Sequence, residues 1–372
     1  MRIPFFNYKK LYLSKKNNYL KKFNHICSNG SFIMQKELLD FEKNLAEFQK
    51  CKYAIGVGNA TDALQLLLKA AGIKNGDEVI FCTHTMIATA SAIKFCGAIP
   101  VPVDCASDHL IDSESFKKAI TQKTKGVVVT QLNGRIADMS KILMIAKDYK
   151  IKVFEDAAQA LGARFKNRFA GSFGVGACIS FYPAKILGCF GDGGAVITNN
   201  KNIFLKIRAL RDHGRNSQGE IVYWGYNSRL DNLQAGFLNV LFRDINKIIN
   251  KRRYLASLYF NNLQKNRFLK LPPNTNQKNH FDVYQNYEIE CYKRNQLKEY
   301  LYKNGVGTIL QWGGKAVHEF KKINIKKKLP KTEKIMRNSL LLPMNYFLKK
   351  SDINYICKVI NKFYENSFES KH

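Results

Sequence analysis

Residues 155–194 read EDAAQALGARFKNRFAGSFGVGACISFYPAKILGCFGDGG, with two adjacent carboxylates at one end and a glycine-rich turn at the other. Between them stands Lys185, in the apolar and small-residue segment SFYPAKILG. Burial lowers the pKa of a lysine because the charged form loses its water. A lysine in such a setting can act as an amine nucleophile toward a carbonyl group. The alternative is a surface lysine whose aliphatic stem covers apolar neighbours.

Short apolar runs alternate with helical patterns on both sides of this stretch. The apolar runs predict strands at residues 53–57, 79–82, 100–103, 126–130, 151–154, 177–181 and 194–198. Helices are predicted at residues 35–49, 60–71, 88–95, from 113 to 119, 139–149 and 203–211. This alternation predicts an α/β fold with a large, mostly parallel sheet.

A helical pattern over residues 230–262, either one long helix or a broken one, leads into a more polar part of the chain. There a strand is predicted at residues 283–289 and a helix at residues 295–303, which indicates a smaller α+β unit. We therefore expect a large α/β domain over residues 1–248, including a mixed N-terminal segment, and a small α+β domain over residues 249–372.

The chain of 372 residues has a formal net charge of +31, which favours an anionic partner. Lysines and arginines are spread along the whole chain, and no nucleic-acid-binding motif accompanies them, so we expect no nucleic-acid partner. Attraction of a phosphate ester or a nucleotide diphosphate is a simpler use of part of the charge.

The sequence also lacks the patterns of metal sites, membrane-spanning segments and secretory signals. The nine cysteines form no C-x-x-C pair and have no histidine at metal-ligand spacing, so no metal site is expected. No apolar run reaches the roughly 20 residues that cross a bilayer. The N-terminus has no secretory signal pattern. We therefore expect a cytoplasmic protein without membrane insertion.

The segment GVGNAT at residues 56–61 follows a predicted strand and enters a helix. Small residues at a helix N-terminus offer backbone N–H groups and the helix dipole to an anion, and Thr61 adds a hydroxyl group. The segment lacks the third glycine of a dinucleotide fingerprint and the Gly-Lys-Ser/Thr end of a P-loop. A plain strand–helix turn is the alternative.

Glu155 and Asp156 follow a predicted strand, at the edge where open α/β sheets bind ligands. A buried carboxylate needs a cationic partner, and the protonated nitrogen of a pyridine ring is one. Gln159 is placed to bind a ring oxygen, and Ser180, at the end of another strand, to bind a phosphate. Read in isolation, the acidic pair has metal binding or helix capping as its alternative role.

A phosphate-binding turn, a carboxylate for a ring nitrogen and a lysine for an aldehyde together indicate pyridoxal 5'-phosphate as the cofactor. The chain resembles the DegT/DnrJ/EryC1/StrS family of sugar-nucleotide aminotransferases, which have the type I fold of aspartate aminotransferase. The resemblance covers nearly the whole chain. It lies in FEKNLAEF (41–48), NATDAL (59–64), GDEVI (76–80), THTMIATASAI (83–93), EDAAQALGA (155–163), GSFGVGACISFYPAKILGCFGDGGAVIT (171–198), RDHGR (211–215) and GYNSRLDNLQA (225–235).

The resemblance implies roles for the residues at matching positions. Lys185 would carry the cofactor and move the proton, Asp156 would hold the pyridine nitrogen, and Gln159 would contact the ring hydroxyl. The implied phosphate-binding positions are Ala60, Thr61 and Ser180. Asn227 would reach the phosphate of the neighbouring subunit, which implies a homodimer with shared active sites.

The chain departs from the family pattern at three places. Met86 stands where an aromatic residue usually stacks on the cofactor; its thioether can pack on a ring, or His84 shares that role. The family's His-x-Tyr-Gly segment is replaced by QLNGR, which contains Asn133. Its His-Tyr-Pro segment is replaced by QWGG, which contains Trp312, with His318 following. These segments lie near the sugar in the family, so the substrate is expected to differ from that of the best-known members.

The resemblance implies transfer of an amino group from an amino acid, expected to be glutamate, to a nucleotide-linked keto sugar for surface-glycan or amino-sugar biosynthesis. Arg229 and the loop at residues 213–224 are candidates to receive the nucleotide diphosphate, although Arg229 fits a structural ion pair equally well. The alternative function is a catalytically silent or regulatory relative that binds cofactor or sugar. A third is a nicotinamide-dependent oxidoreductase built on the turn at Gly56.

Overall fold

The structure is a computed structural model that describes residues 3–368, with side chains described through residue 366. Its strands are, in chain order, β1 (Tyr53–Val57), β2 (Glu78–Cys82), β3 (Ile99–Val103), β4 (Thr124–Thr130), β5 (Lys152–Asp156), β6 (Arg164–Phe165), β7 (Arg168–Phe169), β8 (Gly176–Ser180), β9 (Gly194–Thr198), β10 (Leu269–Lys270), β11 (His280–Phe281), β12 (Tyr287–Cys291) and β13 (Ser339–Leu342).

The α-helices are, in chain order, α1 (Tyr8–Leu13), α2 (Lys16–Ser28), α3 (Lys36–Phe48), α4 (Ala60–Ala70), α5 (Ile87–Phe95), α6 (Ser113–Lys118), α7 (Met139–Asp148), α8 (Lys201–Leu210), α9 (Asn232–Phe242), α10 (Ile245–Leu263), α11 (Arg294–Lys303), α12 (Pro330–Asn338) and α13 (Lys350–Phe368). Short 3₁₀ turns occur at Leu132–Gly134, Gln311–Gly314, Val317–Glu319 and Lys321–Ile323. Among the residues described, no helix is long and apolar enough to span a membrane.

Seven strands form one large sheet in the order β1-β9-β8-β5-β4-β2-β3. All neighbours are parallel except at β9, which runs antiparallel to both β1 and β8. The strands β1, β4, β5 and β8 therefore end at one edge of the sheet, and β9 begins there. The loop from β8 to β9 crosses this edge and carries Lys185.

Alternate residues of the central strands pack into two separate apolar clusters. In β4, Val127 and Val129 belong to one cluster, whereas Val128 belongs to the other. Successive side chains of a strand point to opposite faces, so helices cover the sheet on both sides. This is the α/β layering that the sequence predicts, and the fold class is confirmed.

A third apolar cluster lies in the C-terminal part, around a three-stranded antiparallel sheet of β10, β12 and β13. Helix α10 links the two parts: Ile248 and Ile249 belong to the cluster of the large sheet, and Leu255 and Tyr259 to the third cluster. The expected boundary between residues 248 and 249 falls inside this continuous helix and stays a prediction. Ile3 packs with the third cluster and pairs with Val306.

The seven large-sheet strands predicted from the sequence are confirmed, with shifts of up to two residues at their ends. The helical region over residues 230–262, expected to be one long helix or a broken one, is broken into two helices, because the chain turns between Arg243 and Asp244, whose carboxylate pairs with Lys15. Two other local predictions need correction. The N-terminal segment, expected to be mixed, forms α1 and α2.

The second correction concerns the strand predicted at residues 283–289, which instead begins at Tyr287. The preceding apolar residues form a buried turn. There the carbonyl oxygens of Tyr284 and Gln285 accept hydrogen bonds of 3.2 and 3.0 Å from Arg252 Nη1. The buried guanidinium group of Arg252 thus occupies carbonyl oxygens that would otherwise accept hydrogen bonds from a neighbouring strand.

Candidate active site

A cavity of about 480 Å³ opens at the edge of the sheet where β5 and β8 end. It brings together most of the residues singled out from the sequence. Those lining it are Ala60, Thr61, Met86, Asp156, Gln159, Ser180, Lys185 and Trp312. Open α/β sheets bind ligands at this edge because loops and helix N-termini meet there.

Lys185 lies in the loop after β8 and is partly buried. Burial lowers the pKa of its ammonium to about 8, although the nearby Asp156 and Cys178 act in the opposite direction. The backbone N–H of Lys185 donates to the carbonyl oxygen of Tyr182 at 2.8 Å, which holds the loop as a turn. Near neutral pH a usable fraction of such an amine is uncharged and nucleophilic.

Asp156 is the last residue of β5, and its carboxylate is buried at the floor of the cavity. Its Oδ2 accepts a hydrogen bond of 2.7 Å from Thr89 Oγ1 in α5. Its Oδ1 accepts from the backbone N–H of Ala158 at 3.2 Å and from Cys178 Sγ at 3.4 Å. These donors orient the carboxylate at the floor of the cavity, where a protonated ring nitrogen would pair with it.

Glu155 points away from the cavity and has a structural role. Its carboxylate accepts hydrogen bonds of 2.9 Å from the N–H groups of Gly171 and Phe173 and of 2.8 Å from Gln131 Nε2. Burial raises the pKa of Glu155, and these donors act against the rise. The two adjacent carboxylates alternate across the strand, so only Asp156 reaches the cavity.

The opposite wall is the N-terminus of α4, where Ala60 and Thr61 line the cavity. Asn59 caps the helix by accepting from the N–H of Asp62 at 2.9 Å. Gly194 lets this helix lie against β9, since a Cβ there would be 2.4 Å from the carbonyl carbon of Asn59. A helix N-terminus presented in this way suits a phosphate group.

Gln159 lies beside the cavity with its amide oxygen engaged. Its Oε1 accepts from the backbone N–H of Asn133 at 2.9 Å and from Asn286 Nδ2 at 3.3 Å. Because the oxygen faces these donors, the amide nitrogen is the group available to a ligand. Asn133 itself does not line the cavity but supports Gln159 from behind.

Met86 and His84 have different surroundings. Met86 precedes α5, is exposed, and lines the cavity. His84 is buried outside the cavity lining and packs edge-on against Trp312, with ring centroids 5.7 Å apart. Of the two candidates for packing on a cofactor ring, only Met86 is at the cavity surface, and Trp312 adds an aromatic side chain to it.

Three other candidates lie outside this cavity. Asn227 is exposed and pairs through its backbone with Asp212. Arg229 donates to Asp212 Oδ1 at 2.9 Å, which is the structural ion pair considered from the sequence. His318 is buried, with Nδ1 3.1 Å from Thr83 Oγ1 and Nε2 3.4 Å from Glu333 Oε1.

Thr89 is a site residue that the sequence reasoning missed. Its hydroxyl group is fully buried and contacts Thr85 Oγ1 at 2.8 Å, which in turn contacts Thr130 Oγ1 at 3.1 Å. Helical spacing could not have predicted this contact, because Thr85 precedes α5, which begins at Ile87, and the two hydroxyl groups meet through the turn before the helix.

These groups fit pyridoxal 5'-phosphate. A helix N-terminus and Ser180 are available to the phosphate, and Asp156 to a protonated pyridine nitrogen. Lys185 is available to the aldehyde, and the amide nitrogen of Gln159 to the ring hydroxyl. The buried Asp156 is the strongest part of this fit, because a buried carboxylate needs a cationic partner and the lysine near it, Lys185, has a pKa lowered by burial.

Comparison with known proteins agrees with this fit. A sequence model of the DegT/DnrJ/EryC1/StrS aminotransferase family matches residues 14–361. The chain is 34% identical to the "pleiotropic regulatory protein" of Geobacillus stearothermophilus, over 98% of this chain and 100% of that one. It is also 34% identical to the UDP-2-acetamido-2-deoxy-3-oxo-D-glucuronate aminotransferase of Pseudomonas aeruginosa, over 90% of this chain and 93% of that one.

The structure also resembles solved structures over nearly its whole length. S. venezuelae DesV, solved in complex with a ketimine intermediate, superposes with a TM-score of 0.94 at 32% identity. The match covers 98% of this chain and 99% of that chain.

Proposed function

This chain belongs to the DegT/DnrJ/EryC1/StrS aminotransferase family, and we propose that it transfers an amino group from glutamate to the keto group of a nucleotide-linked sugar. It is a pyridoxal-phosphate-dependent aminotransferase. The observation that carries the proposal is the presence of Lys185 and Asp156 in one cavity beside a helix N-terminus. We assign the product to surface-glycan or amino-sugar biosynthesis.

Bound pyridoxal phosphate supplies an electron sink that stabilises negative charge developing on the α-carbon of the amino donor. With the cofactor bound, Lys185 Nζ would take the proton from that carbon and pass it to the cofactor, and it would move a proton in the reverse sense when the keto sugar is aminated. Its pKa of about 8 suits both directions at neutral pH. Asp156 would hold the proton at the ring nitrogen, and Thr89 orients its carboxylate.

The proposed substrate, a nucleotide-linked keto sugar, rests on the name of a relative and on the net charge of the chain. The P. aeruginosa relative is named for a UDP-linked keto sugar acid. The net charge of +31 favours approach of a nucleotide diphosphate. We assign its recognition to Arg229 and the loop at residues 213–224, and sugar contacts to Trp312, His84, Asn133 and His318 as secondary candidates. The described geometry favours Trp312, which lines the cavity.

We further propose a homodimer in which Asn227 of one protomer reaches the phosphate site of its partner. Asn227 is exposed and does not line the cavity of its own chain, which is consistent with a role in another one. We also propose a cytoplasmic location, where the nine free cysteines of this chain stay reduced.

The second candidate is a regulatory relative that binds the cofactor without turnover, a possibility that the name of the G. stearothermophilus relative raises. The presence of Lys185, Asp156 and Gln159 in one cavity counts against it, because binding alone does not need a lysine of lowered pKa. The nicotinamide-dependent alternative has no support from the family.

Cofactor loading tests the proposal first. Purified protein with pyridoxal phosphate should absorb in the visible range, and borohydride should attach the cofactor to the peptide containing Lys185. A panel of nucleotide-linked keto sugars with glutamate, followed by mass spectrometry, then identifies the substrate from the mass change of amination. Loading without turnover of any sugar would favour the regulatory relative, and failure to load would exclude both.

A further inference from the structure

Glu288 is a buried carboxylate outside the cavity, in strand β12, and it lies between two histidines. Its Oε2 contacts His109 Nδ1 at 2.8 Å, and its Oε1 lies 3.3 Å from His84 Nε2, at an angle unsuitable for a hydrogen bond. His109 Nε2 contacts a second carboxylate, Glu290 Oε1, at 3.0 Å. Lys270 Nζ pairs with that same oxygen at 2.6 Å.

The charges in this cluster reinforce one another. Burial alone would lower the pKa of His109, but Glu288 and Glu290 raise it to about 10. Burial alone would raise the pKa of Glu288, but His84 and His109 hold it well below its ordinary value. Glu288 is therefore ionised at neutral pH and can only accept hydrogen bonds.

An acceptor-only group fixes the direction of the amide beside it. Asn133 Nδ2 donates to Glu288 Oε2 at 2.7 Å, so Asn133 Oδ1 must point the other way. That oxygen accepts from Asn286 Nδ2 at 2.9 Å. The same Asn286 nitrogen reaches Gln159 Oε1 at 3.3 Å. Amide orientations are usually ambiguous, but here a carboxylate at one end decides each of them in turn.

The backbone of Asn133 contributes a second constraint. Its φ of 55° lies in the left-handed region, and its N–H donates to Gln159 Oε1 at 2.9 Å. Gly134 permits this turn, because a Cβ there would lie 2.6 Å from the backbone nitrogen of Tyr284. The side-chain bond to Glu288 holds the strained residue in place and so keeps its N–H aimed at Gln159.

We propose that Glu288 is a positioning residue: acting through Asn133 and Asn286, it holds Gln159 with its amide nitrogen facing the cofactor ring hydroxyl. The proposal rests on the function proposed above, which gives Gln159 its ligand. The hydrogen-bonded chain from Glu288 to Gln159 begins outside the cavity, in a strand of the C-terminal sheet. The geometry thus couples β12 to the ring-binding side of the site.

The same three side chains raise the question of a metal ion, because ligand atoms of His84, His109 and Glu288 lie within 4.8 Å of one another. The 2.8 Å separation of His109 Nδ1 and Glu288 Oε2 is a hydrogen-bond distance, which places a shared proton between them. Asn133 takes a further position on Oε2. The cluster is therefore best described as an ion-pair network that orients amides.

The test compares Glu288→Gln with Glu290→Gln. Both remove a carboxylate that binds His109 from the same strand, but within the described residues only Glu288 bonds to Asn133. The measurements are the dissociation constant for pyridoxal phosphate, the pH titration of the visible absorbance of the bound cofactor, and the thermal midpoint. Metal content of the purified wild-type protein is measured alongside.

We expect Glu288→Gln to weaken cofactor binding by about tenfold. The absorbance midpoint should move to higher pH, since loss of a donor disfavours the ionised ring hydroxyl. Glu290→Gln should change the dissociation constant by less than about twofold and leave the absorbance midpoint at the wild-type pH, even if its thermal midpoint is lower. Asn286→Ala leaves the carboxylates in place and should shift the absorbance in the same direction, so the proposal remains testable if Glu288→Gln does not fold.

Three results would overturn the proposal. The first is a wild-type spectrum in Glu288→Gln and Asn286→Ala. The second is an equal change in Glu288→Gln and Glu290→Gln, which would mean general destabilisation. The third is a stoichiometric divalent metal lost in His109→Gln. A wild-type protein that binds no pyridoxal phosphate would instead refute the function on which the proposal rests.

Discussion

Thr89 Oγ1 donates a hydrogen bond of 2.7 Å to Asp156 Oδ2, and this bond joins helix α5 to the end of strand β5 beneath the cavity. It fixes the carboxylate plane before any ligand binds. Thr89, which is among the residues lining the cavity, thus orients the carboxylate on which the cofactor ring would depend.

Replacing Thr89 by Val removes this donor while keeping the shape of the side chain. A buried hydrogen bond to a charged group is worth about 1.5–3 kcal/mol, so we expect about 10–100-fold weaker binding of pyridoxal phosphate by fluorescence titration. Thr85→Val is the matched control, because among the described residues the hydroxyl group of Thr85 contacts only the neutral hydroxyl groups of Thr89 and Thr130. Equal effects of the two variants would contradict the role given to Thr89.

Asp156→Asn tests whether a carboxylate, and not merely a hydrogen-bond acceptor, is needed at the floor of the cavity. Removing one partner of a buried ion pair costs about 3–5 kcal/mol, so turnover or cofactor affinity should fall on the order of 10²–10⁴-fold. The pKa of Lys185 should fall further, since Asp156 opposes the lowering caused by burial.

Glu155→Gln is the control for Asp156→Asn, because Glu155 is bonded to backbone N–H groups away from the cavity. It should lower the thermal midpoint and leave the spectrum of bound cofactor unchanged. The site assignment would fail if Glu155→Gln altered the spectrum and Asp156→Asn did not.

Lys185→Ala should reduce transamination by about 10²–10⁴-fold or more, because both the cofactor attachment and the proton transfer are lost. The assay is the half-reaction with glutamate, followed by absorbance. Lys141→Ala, at an exposed lysine of α7, serves as the control and should behave as wild type. Retained transamination in Lys185→Ala would move the proton-transfer role to another residue.

Gly194→Ala should weaken phosphate binding through backbone displacement. The added Cβ would lie 2.4 Å from the carbonyl carbon of Asn59 and 2.7 Å from the nitrogen of Ala60, so the N-terminus of α4 must move. We expect a loss of about 1–3 kcal/mol in unfolding free energy, measured with urea, together with weaker cofactor binding. At Gly58 a Cβ meets side-chain oxygens at 3.3 Å, so Gly58→Ala should cost less.

The pH dependence of stability should reveal the ion pair of His109 and Glu288. The pKa of His109 is raised from 6.5 to about 10, so its contribution is complete below pH 6.5 and is lost as the pH rises through 10. The pKa of Glu288 is lowered, so its contribution is present above its unfolded value near 4.5 and is lost only in strong acid.

Between pH 7 and 10, urea unfolding of the wild type should therefore lose about 2–4 kcal/mol more than that of His109→Gln. Cofactor-free protein is used for both, so that titration of the cofactor does not contribute. Parallel pH profiles for the two proteins would show that the pair is not formed.

The sequence by itself determined the sheet and the residues at its ligand-binding edge. Each strand of the large sheet is a short apolar run between turn signals, and Asp156, Ser180 and Lys185 stand at or just after strand ends. Parallel strands bring their carboxyl ends to one edge, so local order along the chain was enough to place these residues together. The roles of individual site residues remain predictions.

Only the tertiary structure decided how these residues are supported. Thr89 reaches Asp156 across 67 positions of sequence, and Asn133 and His109 reach Glu288 across 155 and 179. Such pairings have no periodic signature, because they depend on how separate elements pack. The turn before β12 was missed for the same reason: a distant Arg252 takes the carbonyl groups that an apolar run would otherwise offer to a strand.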